Sequence, residues 1–96
     1  MLMKCIMCDN IWDDDVNRTR CPECGLFGAP YQWPVGSAVR SVVPFEQNGS
    51  RYMYRGVVNR SYRDGHVVVM LSAASQDKLD AKSIVVPNNH IIPEGA

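Results

Sequence analysis

Cys5-Ile6-Met7-Cys8 and Cys21-Pro22-Glu23-Cys24-Gly25, separated by twelve residues, hold all four cysteines of this 96-residue chain. Their spacing decides how the first quarter folds. Two residues between a pair of thiolates let one tight turn aim both sulfurs at a single ion, and two such turns supply a tetrahedral set of soft ligands. The spacer is long enough for a short hairpin that brings the turns face to face. Gly25 suits a positive-φ position at the end of its turn, and Pro22 stiffens the same turn. Disulfides within each pair would close only tiny loops, which stabilises little. Cross-paired disulfides belong to secreted proteins. A thioredoxin-like redox site has one such pair on a βαβ unit. Cys5, Cys8, Cys21 and Cys24 are therefore the expected ligands of one structural metal ion. Its binding would contribute on the order of 10 kcal/mol of folding free energy. A segment of about 30 residues rarely folds without such a staple.

On these residues, 1–28 resemble a zinc ribbon, a fold widespread in transcription and translation proteins. They are also similar to the short rubredoxin-like domain of rubrerythrins, which has the same CxxC, spacer and CPxCG layout. Trp12, the acidic Asp13-Asp14-Asp15 and the second cysteine pair carry that second likeness. Asp9-Asn10 departs from it, since Gly and an aromatic usually follow the first pair there. The chain also has no Glu-x-x-His pair to build the di-iron site that rubrerythrins serve. The ribbon resemblance implies one closed, structural zinc ion; the other implies iron and one-electron transfer. Both metals accept four thiolates in a tetrahedron. Zinc is the expected ion and iron the alternative.

The formal net charge is zero, but it is unevenly placed: residues 1–33 carry −2 and residues 34–96 carry +2. A divalent ion on four thiolates would add −2 to the first part. A general polyanion binder is excluded, and any nucleic-acid contact is expected to be local, on the second part. No apolar run reaches the length of about 18 residues that a membrane helix needs. Met1-Leu2-Met3-Lys4-Cys5 lacks the apolar stretch and small-residue cleavage site of a secretory leader. A cytoplasmic location without membrane contact is expected.

The connector 29–34 contains Pro30, Tyr31, Trp33 and Pro34, and Tyr31 or Trp33 is expected to pack between the two parts. From Val35 onward the pattern is one of short strands, over 39–43, 51–58, 66–71, 84–86 and 90–93. In the second, Tyr52, Tyr54, Gly56 and Val58 share one face, with Arg51, Met53, Arg55 and Val57 on the other. Gly56 marks a bend or a close approach of backbones. Residues 59–65 end in Asp64-Gly65 and form a turn. The apolar run 67–71 implies burial on both faces, or on one face with a partner over the other. Residues 72–83 are expected to be a long loop or a single helical turn. Five short strands with a bent second strand point to a small barrel. Val35-Gly36-Ser37-Ala38-Val39, Tyr54-Arg55-Gly56-Val57-Val58, Asp64-Gly65-His66-Val67-Val68-Val69 and Ile91-Ile92-Pro93 resemble Tudor-like and KOW-like barrels. The expected fold is thus mainly β: an N-terminal zinc ribbon, 1–28, packed on a five-stranded Src-homology/Tudor-like barrel, 35–96.

Catalysis finds no machinery in this sequence. The cysteines are committed to metal, and His66 and His90 stand apart from any carboxylate pair or phosphate loop. Asp13, Asp14 and Asp15 are expected to form a solvated hairpin tip. One constellation points to binding: Arg51, Tyr52, Tyr54, Arg55, Arg60, Tyr62 and Arg63 interleave cations and rings along a strand and its turn. Arginines would pair with phosphates while tyrosines stack on bases. In the Tudor resemblance, aromatics near this strand line a partner groove. The alternative places Tyr52 and Tyr54 in the core. The expected function is a non-catalytic zinc-binding module that contacts nucleic acid or a component of the transcription or translation machinery, with no small-molecule substrate. A protein-binding adaptor or inhibitor without nucleic-acid contact, and a rubredoxin-like iron electron carrier, are the alternatives.

Overall fold

Alternating apolar residues organise both parts of the computed structural model, which describes residues 1–16 and 20–96. The middle of the spacer between the cysteine pairs, 17–19, lies outside the described residues. The first part is a three-stranded antiparallel sheet of β1 (Leu2–Cys5), β2 (Ile11–Asp13) and β3 (Gly28–Pro30), in the order β2-β1-β3. Met3 pairs with Trp12 on one side and with Pro30 on the other. β3 carries this sheet two residues past the boundary expected at 28. Gly28 is required where it stands, because a Cβ there would run into the Trp12 ring and sit 2.7 Å from the Lys4 carbonyl oxygen.

The second part is a five-stranded antiparallel sheet. Its strands are β4 (Ala38–Ser41), β7 (Arg55–Ser61), β8 (His66–Leu71), β9 (Ser83–Pro87) and β10 (Ile91–Pro93), in the order β10-β4-β7-β8-β9. β5 (Phe45–Gln47) and β6 (Ser50–Tyr52) form a separate two-stranded ribbon. Val39, Val58, Val67, Val69, Leu71, Ile84, Val86 and Ile91 alternate inward and build one core with Trp33, Tyr54 and Leu79. The run 67–71 therefore buries one face only: Val67, Val69 and Leu71 point in, while Met70 is exposed and Val68 partly so.

The barrel, expected to be closed or partly closed, does not close. β9 and β10 are the two edges of an open sheet and do not pair with each other. Two local features account for this. Asn48 (φ 53°) and Gly49 (φ 81°) turn the chain into the β5–β6 hairpin, as expected of an Asn-Gly pair. The strand expected over 51–58 is consequently split at Met53-Tyr54, and only its second half joins the sheet. The second feature is a helix in place of the expected loop or single turn. α1 (Ala73–Leu79) is capped by Ser72, whose side chain accepts from Ser75 N, and ends at Asp80 in the left-handed conformation. Leu79 is fully buried and ties α1 to the core. Sheet and helix together replace the strand-to-strand closure that would make a barrel.

Elsewhere the strand alternation is as expected. Gly56 is a close approach of backbones, since a Cβ there would strike the Met70 carbonyl oxygen. An irregularity between Val58 and Arg60 leaves Asn59 without a register partner.

The two parts are joined by polar and aromatic contacts. Tyr31 and Trp33 meet edge to face, ring centroids 5.4 Å apart. Trp33 Nε1 donates to the Asn88 carbonyl oxygen at 2.9 Å. Asn88 is fully buried. Its Oδ1 accepts from Leu2 N at 2.6 Å, and its Nδ2 donates to the carbonyl oxygens of Leu2 (2.9 Å) and Tyr31 (3.1 Å). One side chain from the second part thus satisfies the backbone of β1 and of the connector.

Candidate metal centre

Each cysteine pair sits on a turn of the same construction. Cys5 N donates to Asn10 O at 2.8 Å, and Cys21 N donates to Leu26 O at 2.7 Å. The residue after each pair is left-handed, Asp9 at φ 60° and Gly25 at φ 76°. Aspartate is among the few non-glycine residues that enter this region readily. It fills the place where the second turn has glycine. An isolated bridge between Arg20 and Phe27 closes the second turn.

These turns bring all four sulfurs within 4.8 Å of one another. Cys5 Sγ lies 3.4 Å from Cys24 Sγ, and Cys8 Sγ lies 3.5 Å from Cys21 Sγ. Bonded sulfurs would be about 2.05 Å apart, and the four cysteines are free. A tetrahedron with metal–sulfur bonds of about 2.3 Å has edges of about 3.8 Å. The donor set therefore fits one tetrahedral ion. Cys5 and Cys21 are buried, whereas Cys8 and Cys24 face solvent.

Electrostatics within the bare cluster show why it calls for a cation. The amides of Cys8 and Met7 donate to Cys5 Sγ and hold that thiol below its usual range. Burial pushes Cys21 up, but the Cys24 and Glu23 amides, with Cys8 and Asn10, outweigh it and bring the group to about 6. At Cys8 the Asn10 amide pulls the thiol down, yet the neighbouring sulfur of Cys21 and burial raise it to about 12. Cys24 receives the Leu26 amide and still rises because of Cys5 and burial. Two thiols are thus held low and two high, as like charges crowded on four sulfurs dictate, and a cation among them would favour all four thiolates.

The acidic run Asp13-Asp14-Asp15 also clusters. Its carboxylates surround the Met1 ammonium at 3.0, 2.9 and 2.8 Å. Asn89 Nδ2 donates to Asp13 at 3.2 Å and to Asp15 at 2.7 Å. Burial works against the ammonium, but the three carboxylates raise it to about 10. The expected solvated tip is thus a charge cluster clamped to the second part by Asn89.

The residues singled out for partner contact do not share one surface. Tyr54 is buried in the core, and Tyr52 packs against that core. Arg51 lies on the β5–β6 hairpin, paired with Glu46 at 3.1 Å. Arg55 pairs with Glu94 at 3.4 Å. Arg60 stacks over Tyr62 at 5.4 Å, at the far end of β7; Arg63 follows in the turn. His66 Nδ1 lies 3.2 Å from Asp64. Burial lowers His90, and the nearby Asp15 only partly offsets this.

The apolar residues on the outer face of the five-stranded sheet were not named as a site by sequence, although one reading of the run 67–71 put a partner over its second face. Ala38, Val57 and Met70 are successive register partners across β4, β7 and β8. Val68 and Val85 pair across β8 and β9. Val57, Met70 and Val85 are 43%, 41% and 53% exposed. The signal available in the sequence was the unbroken apolar run 67–71, whose second face has to meet something.

Comparison with models of protein families, with curated proteins and with solved structures returns no match. What fold and site define together is a mainly β protein with a four-cysteine group set to hold one metal ion. Among the described residues, no helix is long and apolar enough to cross a membrane.

Proposed function

We propose that this chain is a non-catalytic, zinc-stabilised protein-binding module. The observation that carries the reading is the outer face of the sheet, where Ala38, Val57, Met70, Val68 and Val85 are cross-strand neighbours and all but Val68 are exposed. An antiparallel sheet with one solvated face ordinarily presents polar residues there. A contiguous apolar patch instead marks an interaction surface. The metal's role is structural: it holds the N-terminal sheet, and Asn88 transmits that order to the rest of the fold. Zinc is favoured over iron because Asp9-Asn10 departs from the rubredoxin-type first turn and the sequence has no Glu-x-x-His pair for a di-iron site. The ribbon resemblance adds transcription or translation proteins as candidate partners, by fold-level analogy.

Two measurements test this. Elemental analysis of the purified protein is expected to return one zinc per chain in a colourless solution; a red protein with visible absorption would place it with the iron electron carriers. Cross-linking in cells is expected to give a partner set that disappears with Met70→Asp while circular dichroism is unchanged. Identical partner sets for both chains would sink the protein-binding reading. A second reading, local nucleic-acid contact, is supported by Arg60 stacked on Tyr62 with Arg63 beside it. Titration with single- and double-stranded nucleic acid at two salt concentrations decides it, because phosphate contacts weaken steeply with salt.

A further inference from the structure

Two depressions lie side by side where the outer face meets α1, and they differ in chemistry. The first, about 380 Å³, is lined by Arg40, Arg55 and Lys78 together with Ser41, Ser72 and Ser75. No carboxylate belongs to its lining. The second, about 440 Å³, is mainly apolar, with Ala38, Val57, Met70 and Leu71 in its wall, and it also carries the one carboxylate of the two linings, Glu94, at the side where Arg55 holds it. Arg55 and Ser72 belong to both. The cationic depression is therefore continuous with the apolar patch.

This arrangement is built by the fold. Arg40 and Arg55 are register partners on β4 and β7, so the two side chains leave the same face of neighbouring strands, and both line this depression. Arg55 is fixed to the start of α1 from both ends of its peptide: Arg55 N donates to Ser75 Oγ at 3.0 Å, and Ser72 N donates to Arg55 O at 2.9 Å. Lys78 follows one turn after Ser75 on the helix. Ser41 and Ser75 are almost wholly buried. Ser75 Oγ also accepts from Ser72 Oγ at 3.1 Å, which leaves its own proton to donate. Arg40 already donates to the Ala96 carbonyl oxygen at 2.8 Å, and Arg55 already holds the Glu94 carboxylate at 3.4 Å. Both of these contacts are exposed and readily exchanged. The Glu94 contact also shows which chemistry this corner accepts.

We propose that this corner of the outer face binds an acidic, aliphatic-bearing segment of a partner protein, with a carboxylate seated among Arg40, Arg55 and Lys78 and a neighbouring aliphatic side chain on Ala38, Val57 and Met70. The inference rests on the protein-binding reading above and names the partner's chemistry. Charge selects the occupant. Two copies meeting about a two-fold axis would bring these cations against their own images, which disfavours a symmetric dimer here. Single-stranded nucleic acid uses stacking platforms, but the apolar depression has no aromatic residue in its lining. Tyr54, in the lining of the cationic one, is only 2% exposed.

The test uses the metal-loaded full chain and a positional-scanning library of short peptides. Selection is expected to fix Asp or Glu at one position and Leu, Ile, Val or Met within two residues of it. Replacing that acid by its amide, or Lys78→Glu in the protein, is expected to weaken the selected peptide by about tenfold or more. Amide shifts on titration should centre on Arg55, Val57, Met70 and Ser75. A library that selects no acid overturns the inference. So does inorganic phosphate binding as tightly as the peptide, because the aliphatic half would then be idle. An oligothymidylate that displaces the peptide with equal strength overturns it in favour of nucleic acid. If the library selects no acid while Met70→Asp still abolishes the cross-linked partner set, the broader protein-binding reading stands and only the partner's chemistry is wrong.

Discussion

The N-terminal sheet buries Cys5, Trp12 and Cys21, with Met3 packed beside them. The five-stranded sheet buries eleven residues from Trp33 to Ile91 in one cluster. Each fully buried aliphatic or aromatic side chain contributes roughly 2 kcal/mol against the entropy of ordering the chain. Among the described residues, three inward side chains, two of them cysteines, cannot hold three strands on that scale. The comparison teaches that the two sheets are ordered by different forces. On the reading proposed above, one is held by coordination at its rim, the other by apolar packing through its middle, and Asn88 connects them.

The sharpest way to break the comparison is to remove the metal. Cys21→Ser, or chelation of the wild type, is expected to cost the first sheet most of the binding free energy, on the order of 10 kcal/mol. Amide exchange should lose protection over β1 to β3 and retain it over β7 and β8. Equal loss in both sheets would mean that they fold as one unit.

Next in size is the joint. Asn88→Ala leaves Leu2 N and Tyr31 O without their buried partner and removes one of two donors from Leu2 O, which keeps Tyr31 N at 2.9 Å. A cost of about 3 kcal/mol is expected, measured by denaturant unfolding, with Trp12 and Trp33 fluorescence separating the two parts. A variant within a few tenths of wild type would show that the parts are joined by other contacts.

A smaller effect is expected at Tyr54. Its hydroxyl is buried and has no hydrogen-bond partner among the described residues. Burial raises its ionisation from 10 to about 12. Because the folded value lies above the unfolded one, the stability contributed by the neutral form is complete below pH 10 and is lost as pH rises toward 12. Tyr54→Phe is expected to change neutral-pH stability by no more than about 1 kcal/mol, and to flatten the alkaline part of the stability–pH curve. An unchanged alkaline slope would remove Tyr54 from the account.

The least effect is expected in the first cysteine turn. Asp9→Gly relieves the left-handed backbone at φ 60° and should stabilise the metal-bound form by about 0.5 kcal/mol, read as slower metal transfer to a chelator. Faster transfer would show that the Asp9 side chain, 3.9 Å from Lys4, matters more than the backbone.

The metal site was legible because ligand spacing is a local property: two residues between cysteines set the turn, whatever surrounds it. Strand alternation was legible for the same reason, and Val57 against Val58 followed from period two, but which face turned inward did not: Tyr54, expected among the partner-contact residues, is buried. The β5–β6 hairpin had a local signal in Asn48-Gly49, which the continuous apolar and aromatic pattern over 51–58 obscured. α1 had weaker cues. Its seven residues gain most of their stability from burying Leu79 against a core that only the assembled sheet supplies.

By itself, then, the chain's order of residues determined the two cysteine turns, the β character and which residues of a strand share a face, all of which depend on neighbours within a few positions. Whether the sheet closed, which arginines came together and where the apolar outer face lay were decided only in the tertiary structure. Each depends on cross-strand register, and register is a relation between residues far apart in the chain whose energies count only once the strands have met.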